Sequence, residues 1–270
     1  MSLTLPDIGL GTYRMTDHDE CVHAVETALD VGYRHVDTAQ MYGNESFVGE
    51  ALDGAFAAEL DRDDVVVATK LDTDNTGYDD AVSTARESRG RLGLDVIDLL
   101  YVHWPLNTYS PEETLPARDD LVDDGVVRAV GLSNFLPDQL ETAIDRLDHP
   151  LAAHQVEMHP LLQQEEIHRL AVEHGHYLVA YSPIARNRVA DNPVLQDVAA
   201  AHDATPAQVS LAWLASKENV VPIPKAASPA HVRENLAALE LELTAGEVDR
   251  IDAIDAEERV VDFASAPWNR

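Results

Sequence analysis

The sequence predicts one α/β domain spanning residues 1–270, folded as a (β/α)8 TIM barrel, and three observations predict it. Eight short runs rich in Val, Ile, Leu and Tyr recur about every 25–40 positions. Polar segments with helical apolar spacing separate them, and such alternation demands a parallel sheet. The 270 residues suit a single barrel, with no linker, low-complexity tract or composition break to divide it. A doubly wound sheet usually has fewer strands. Its dinucleotide-binding versions also carry a third glycine that Gly9-Leu10-Gly11-Thr12-Tyr13-Arg14 lacks.

In chain order, strands are expected at 7–10, 33–37, 65–69, 98–103, 127–132, 153–156, 177–181 and 220–223. The helices between them carry their own punctuation. Ser110-Pro111-Glu112-Glu113, Thr205-Pro206-Ala207-Gln208 and Thr244-Ala245-Gly246-Glu247 each read as a capping box, two of them with proline at the first helical position. Gly32, Gly125 and Gly175 sit where helices should end before the next strand.

Composition narrows the function. A formal net charge of −30 repels phosphate backbones and anionic headgroups, which argues against nucleic-acid and membrane partners. Only three lysines (Lys70, Lys217, Lys225) stand beside sixteen arginines. Self-repulsion on this scale destabilises a compact fold unless salt screens it, and at molar salt the Debye length is about 3 Å. A halophilic cytoplasm is the expected setting. Cys21 is the single cysteine, so no intrachain disulfide forms. Residues 1–6 lack the features of a signal peptide, and no apolar run reaches a membrane span of roughly 18 residues. A monomer is expected, because like-charged copies resist close association.

Active residues of a barrel gather at the C-terminal ends of its strands. Here those ends carry Asp37 with Tyr42 just beyond, Lys70, His103 with Trp104, Ser133 with Asn134, Gln155 with Glu157, Tyr181 with Ser182, and Pro224 with Lys225. So many polar groups at consecutive strand ends suggest one convergent pocket. A phenol, near pKa 10 when unperturbed, donates a proton readily only if an adjacent cation draws it toward neutrality, and Lys70 is the candidate cation. A buried carboxylate such as Asp37 would hold that ammonium charged, His103 would hydrogen-bond a carbonyl, and Trp104 would supply an apolar wall.

The segments Tyr33-Arg34-His35-Val36-Asp37-Thr38-Ala39-Gln40-Met41-Tyr42-Gly43-Asn44-Glu45, Ala68-Thr69-Lys70, Val102-His103-Trp104-Pro105, Gly131-Leu132-Ser133-Asn134-Phe135, Gln155-Val156-Glu157-Met158-His159-Pro160, Tyr181-Ser182-Pro183-Ile184 and Ile223-Pro224-Lys225 resemble, in order and spacing, the signature of the aldo-keto reductases. Within that family the chain looks most like the bacterial 2,5-diketogluconate and methylglyoxal reductase branch. The resemblance implies reduction of a small-molecule aldehyde or ketone with NADPH, with NADH as the alternative. It implies Tyr42 as general acid, Lys70 and Asp37 tuning it, and His103 orienting the carbonyl. It further implies that Gly11, Thr12, Tyr13, Asp37, Ser133, Asn134, Gln155, Tyr181, Ser182, Ile184, Ile223, Lys225, His231, Glu234 and Asn235 bind the cofactor, with Trp104 at the substrate and no metal. Ala226 and His231 stand where relatives commonly have Ser and Arg, which leaves the choice between NADPH and NADH open. The short segment 107–110 implies an open mouth suited to small or polar carbonyls.

Rival readings are weaker. His174-Gly175-His176 mimics a metal-binding pair but precedes a strand, on the face away from the chemistry, and no H-E-x-x-H occurs. Gly131-Leu132-Ser133-Asn134-Phe135 misses the hydrolase elbow at its last residue. A cofactor-binding regulatory subunit is disfavoured by four intact catalytic positions.

Overall fold

A computed structural model describes residues 3–270. Its elements run β1 (Leu10–Gly11), α1 (His18–Val31), β2 (His35–Asp37), α2 (Glu45–Ala57), β3 (Val66–Leu71), α3 (Tyr78–Arg91), β4 (Ile97–Val102), α4 (Pro111–Asp123), β5 (Val127–Ser133), α5 (Pro137–Ile144), β6 (Leu151–Glu157) and α6 (Glu165–His174). After them come β7 (Tyr177–Tyr181), α7 (Pro193–Ala201), α8 (Pro206–Ala215), β8 (Val220–Pro222), α9 (Pro229–Ala237) and α10 (Ala245–Asp252). The eight strands are parallel and neighbour one another in sequence order. The sheet curls until its ends meet. The Gly9 N–H donates to Pro222 O (3.0 Å) and the Gly11 N–H to Pro224 O (3.1 Å), joining the first strand to the last as a (β/α)8 barrel requires. A Cβ on Gly11 would stand 2.9 Å from Ile223 O, so this seam needs glycine.

All eight expected strands are present, displaced by at most a few residues at their ends. The boxes at Thr205 and Thr244 form, whereas the one expected at Ser110 does not. The Ser110 hydroxyl turns to Glu112 Oε2 (3.1 Å), and the Thr114 hydroxyl accepts from the Ser110 N–H (3.2 Å). Gly32 and Gly175 close their helices in the left-handed region, and Gly125 follows α4 with φ 67°.

The pleat sorts the strand residues into two cores. Val66, Ala68, Leu99, Tyr101, Ala153 and Val179 pack inside the barrel. Their neighbours Val67, Leu71 and Leu100 face the helices instead, against Val25, Val48 and Ala85. The Tyr101 ring fits the interior because Gly131 stands beside it. A Cβ there would lie 2.5 Å from the ring.

Two histidines titrate against this packing. Burial first, then the neighbouring His176, lowers His154 to about 3; burial first, then the neighbouring His174, lowers His176 to about 4. Both therefore stay neutral in the folded chain while the unfolded chain protonates near pH 6.5. Stability is expected to fall as pH drops from about 6.5 towards 4, by up to about 1.4 kcal/mol per pH unit for each histidine. Among the described residues, neither His176 nitrogen has a hydrogen-bond partner. His176→Leu should therefore flatten the pH dependence of thermal melts without loss at neutral pH. An unchanged slope would count against this.

Candidate active site

The inward register that fills the barrel interior carries, strand by strand, Asp37, Lys70, Ser133, Gln155 and Tyr181 to the mouth, with His103 one residue beyond β4. Lys70 is in phase with Val66 and Ala68, so an unbranched cationic chain rises through apolar packing and is fully buried. Its Nζ donates to Asp37 Oδ1 (2.5 Å) and Thr38 O (2.8 Å). Burial lowers the Lys70 pKa, while Asp37 and Glu45 act against that shift. The other Asp37 oxygen accepts from Gln155 Nε2 (2.8 Å), so strands distant in sequence share one carboxylate.

Tyr42 ends a single 3₁₀ turn, Gln40–Tyr42, after β2. Asn44 pins that loop, donating to Thr12 O (3.0 Å) and Met15 O (3.1 Å) and accepting from the Thr38 hydroxyl (2.7 Å). The Tyr42 ring lies 5.7 Å from the His103 ring and 5.2 Å from the Lys70 ammonium. One expectation is reversed here. Burial, followed by the charge of Asp37, pushes the Tyr42 phenol well above its usual value, and the ammonium meant to lower it is engaged by Asp37 and Thr38. The Tyr42 phenol is therefore held in its protonated form.

Burial, with Lys70 second, holds His103 well below its ordinary pKa, so its imidazole is neutral. The buried His103 Nδ1 has no hydrogen-bond partner among the described residues. Asn134 Nδ2 donates to His103 O (3.0 Å) and the Ser133 hydroxyl (2.9 Å), while Asn134 Oδ1 accepts from the Tyr181 hydroxyl (2.8 Å). The Ser133 hydroxyl donates to Gln155 O (2.9 Å). Asn134 reaches this position with φ 64°, and Ser182, next to Tyr181, has φ 49°.

The other expected cofactor residues gather at the seam between β1 and β8 and on α9. Thr12 donates twice to Asp37 O, through its N–H (3.0 Å) and its hydroxyl (3.1 Å). Tyr13 is exposed, with its ring 5.2 Å from that of Tyr42. Ile223 and Lys225 flank the seam, and Ile184 follows β7. The Lys225 ammonium lies 3.7 Å from Glu20. His231 is exposed in the first turn of α9, Glu234 accepts from the Thr205 hydroxyl (3.0 Å), and Asn235 is buried. These residues suit a nicotinamide dinucleotide. Hydroxyl and amide groups at adjacent strand ends match a carboxamide, the half-buried Tyr181 ring has its hydroxyl tethered to Asn134, and Lys225 is a cation among few.

Two residues that sequence reasoning passed over, Phe263 and Trp268, complete the aromatic wall. Their rings lie 5.0 Å and 5.6 Å from that of Trp104, which is thereby only 8% exposed. The mouth is accordingly more covered at Trp104 than the short segment 107–110 suggested. The only signal in the sequence was aromatic residues beyond the last helical pattern. His174 and His176 stack with ring centroids 6.3 Å apart at the end of α6, away from this site. Among the described residues, no cluster of three or more His, Cys, Asp or Glu side chains could hold a metal ion, and no helix is long and apolar enough to cross a membrane.

The chain resembles known proteins over nearly its whole length. A family model described as the aldo/keto reductase family matches residues 7–256. An uncharacterized oxidoreductase of Bacillus subtilis, YtbE, is 34% identical over 257 residues, covering 95% of this chain and 91% of that protein. An aldo-keto reductase of Mycolicibacterium vanbaalenii is 37% identical over 253 residues, covering 93% and 89%. Among solved structures, one described provisionally as a 2,5-diketo-D-gluconic acid reductase B superposes with a TM-score of 0.90 at 36% identity, covering 96% of this chain and 90% of that one. A Bombyx mori aldo-keto reductase in complex with NADP gives 0.89 at 29% identity, covering 97% and 93%.

Proposed function

The chain belongs to the aldo/keto reductase family of oxidoreductases, and from that premise we propose that it reduces a small or polar aldehyde or ketone, keto-sugar acids included, to the alcohol, with Tyr42 as proton donor. The observation that carries this reading is the buried Lys70–Asp37 pair beneath Tyr42 and His103. When bound, NADPH or NADH would supply a hydride to the carbonyl carbon. Ser133, Asn134 and Gln155 would hold its carboxamide, Tyr181 its ring, and Lys225, His231, Glu234 and Asn235 its adenosine end. The neutral His103 would donate a hydrogen bond to the carbonyl oxygen and fix its direction. Tyr42, kept protonated by burial, would give its hydroxyl proton to the oxygen as charge develops there. An alkoxide is more basic than a phenolate, so the raised phenol pKa does not oppose transfer in this direction. Trp104, Phe263 and Trp268 would exclude water from the reacting carbon.

The single domain would work as a monomer in a salt-rich cytoplasm, its acidity being a property of the outer surface. We expect NADPH oxidation with methylglyoxal, a keto-sugar acid or an aromatic aldehyde. Melting temperature and turnover should both be higher in molar KCl than in dilute buffer. Cofactor binding without oxidation against all three substrates would sink the enzymatic reading. Full stability in dilute buffer would sink the salt-adapted one.

A further inference from the structure

We propose that Glu157, supported by His159, is a latch that holds the segment 258–269 on the barrel and so sets which carbonyl compounds reach the wall formed by Trp104, Phe263 and Trp268. The selectivity half of this rests on the carbonyl-reductase reading above. Glu157 ends β6, and its side chain is fully buried, yet it touches neither Tyr42, Lys70 nor His103 through any hydrogen bond. Its carboxylate is spent on a distant piece of chain. Oε1 accepts from the Val260 N–H (2.6 Å), Oε2 from the Val261 N–H (2.8 Å), and His159 Nε2 lies 3.0 Å from Oε1. Burial alone would raise the Glu157 pKa, but the hydrogen bonds from His159, Val260 and Val261 outweigh it and hold the group below the ordinary carboxylate range. Both oxygens are therefore acceptors.

Beyond the latch the chain is tied into a unit. Asp262 Oδ1 accepts from Trp268 Nε1 (2.9 Å) and Asn269 Nδ2 (2.7 Å), and Phe263 O accepts from Asn269 Nδ2 (3.0 Å). A loop closed on itself in this way carries its aromatic side chains wherever its base is fixed, and the base is Val260–Val261. The segment just before the latch borders a cavity of about 410 Å³ lined by Asn134, Leu162, Glu165, Asp255, Arg259 and Trp268, and it is tied by the Glu258 N–H to Leu161 O bond (2.8 Å) and by Arg188, 3.6 Å from the Glu258 carboxylate. Buried backbone donors left without an acceptor are costly, so removing the Glu157 carboxylate favours release of the segment.

The test compares Glu157→Gln with the native enzyme. The amide keeps the size of the side chain but presents an N–H to one of the two backbone donors. Trypsin cleavage after Arg259, followed by mass spectrometry in the holoenzyme, should accelerate about tenfold in the variant. The kcat/KM for an aromatic aldehyde should fall about tenfold, mainly through KM, while that for methylglyoxal changes less than about threefold. NADPH binding, read by tryptophan fluorescence quenching, should not move. Phe263→Ala should shift the same substrate ratio with no gain in cleavage, and the double variant should match one change rather than their product. Unaltered cleavage, a parallel loss for both substrates, or multiplicative effects would overturn the proposal. Absence of turnover in the native protein would instead overturn the reductase reading and the selectivity half with it, leaving cleavage to decide the latch.

Discussion

Tyr42→Phe is expected to abolish carbonyl reduction, lowering kcat by about three orders of magnitude, while NADPH still binds with native affinity. The change removes one hydroxyl from a ring held by packing against His103 and Tyr13, so the fold has no reason to respond. Single-turnover absorbance of NADPH measures the chemical step, and fluorescence quenching measures binding. Because burial keeps this phenol protonated, the reduction rate of the native enzyme should vary little between pH 6 and pH 8. A variant within tenfold of native turnover would remove Tyr42 from the proposed role.

Lys70→Met should affect both stability and rate. Methionine fills much of the same volume within the barrel, but it leaves Asp37 buried with Gln155 as its remaining side-chain donor. Breaking one half of a buried pair costs about 3–5 kcal/mol, and a denaturant titration would read this as a lower midpoint at unchanged slope. Restoring neutrality with Lys70→Met/Asp37→Asn should recover a large part of the stability and none of the activity. If the single variant melted like the native protein, the pair would not be the structural centre of the site.

The barrel was legible because its signals are periodic. Eight apolar runs, two capping boxes and the helix-ending glycines all arise from local chemistry, and residues 177–181 match β7 end to end. The strand-end residues were legible for the same reason, since the pleat carries inward phase to Lys70 and Gln155 as surely as to Val66 and Ala153. Other features depended on contacts between residues far apart in the chain. The competition for Lys70 between Tyr42 and Asp37 is decided by which acceptor its ammonium reaches, and no spacing rule shows that. Phe263 and Trp268 join the site through bonds from residues 260 and 261 back to residue 157 and through ring contacts with Trp104. The Ser110 box failed because the neighbouring Thr114 hydroxyl took the backbone donor at the cap.

The alternation that delivers Lys70 to Asp37 also acts as a check on folding fidelity. If β3 slipped by one residue against β2, every β3 side chain would change faces and Lys70 would turn outward to the layer beneath the helices, leaving Asp37 behind in β2 without its cation. A buried carboxylate deprived of its cation costs several kcal/mol in addition to the lost packing. The charge pair at the centre of the site therefore proofreads the register of the sheet, so that a chain which has assembled its strands wrongly also lacks the stability to persist.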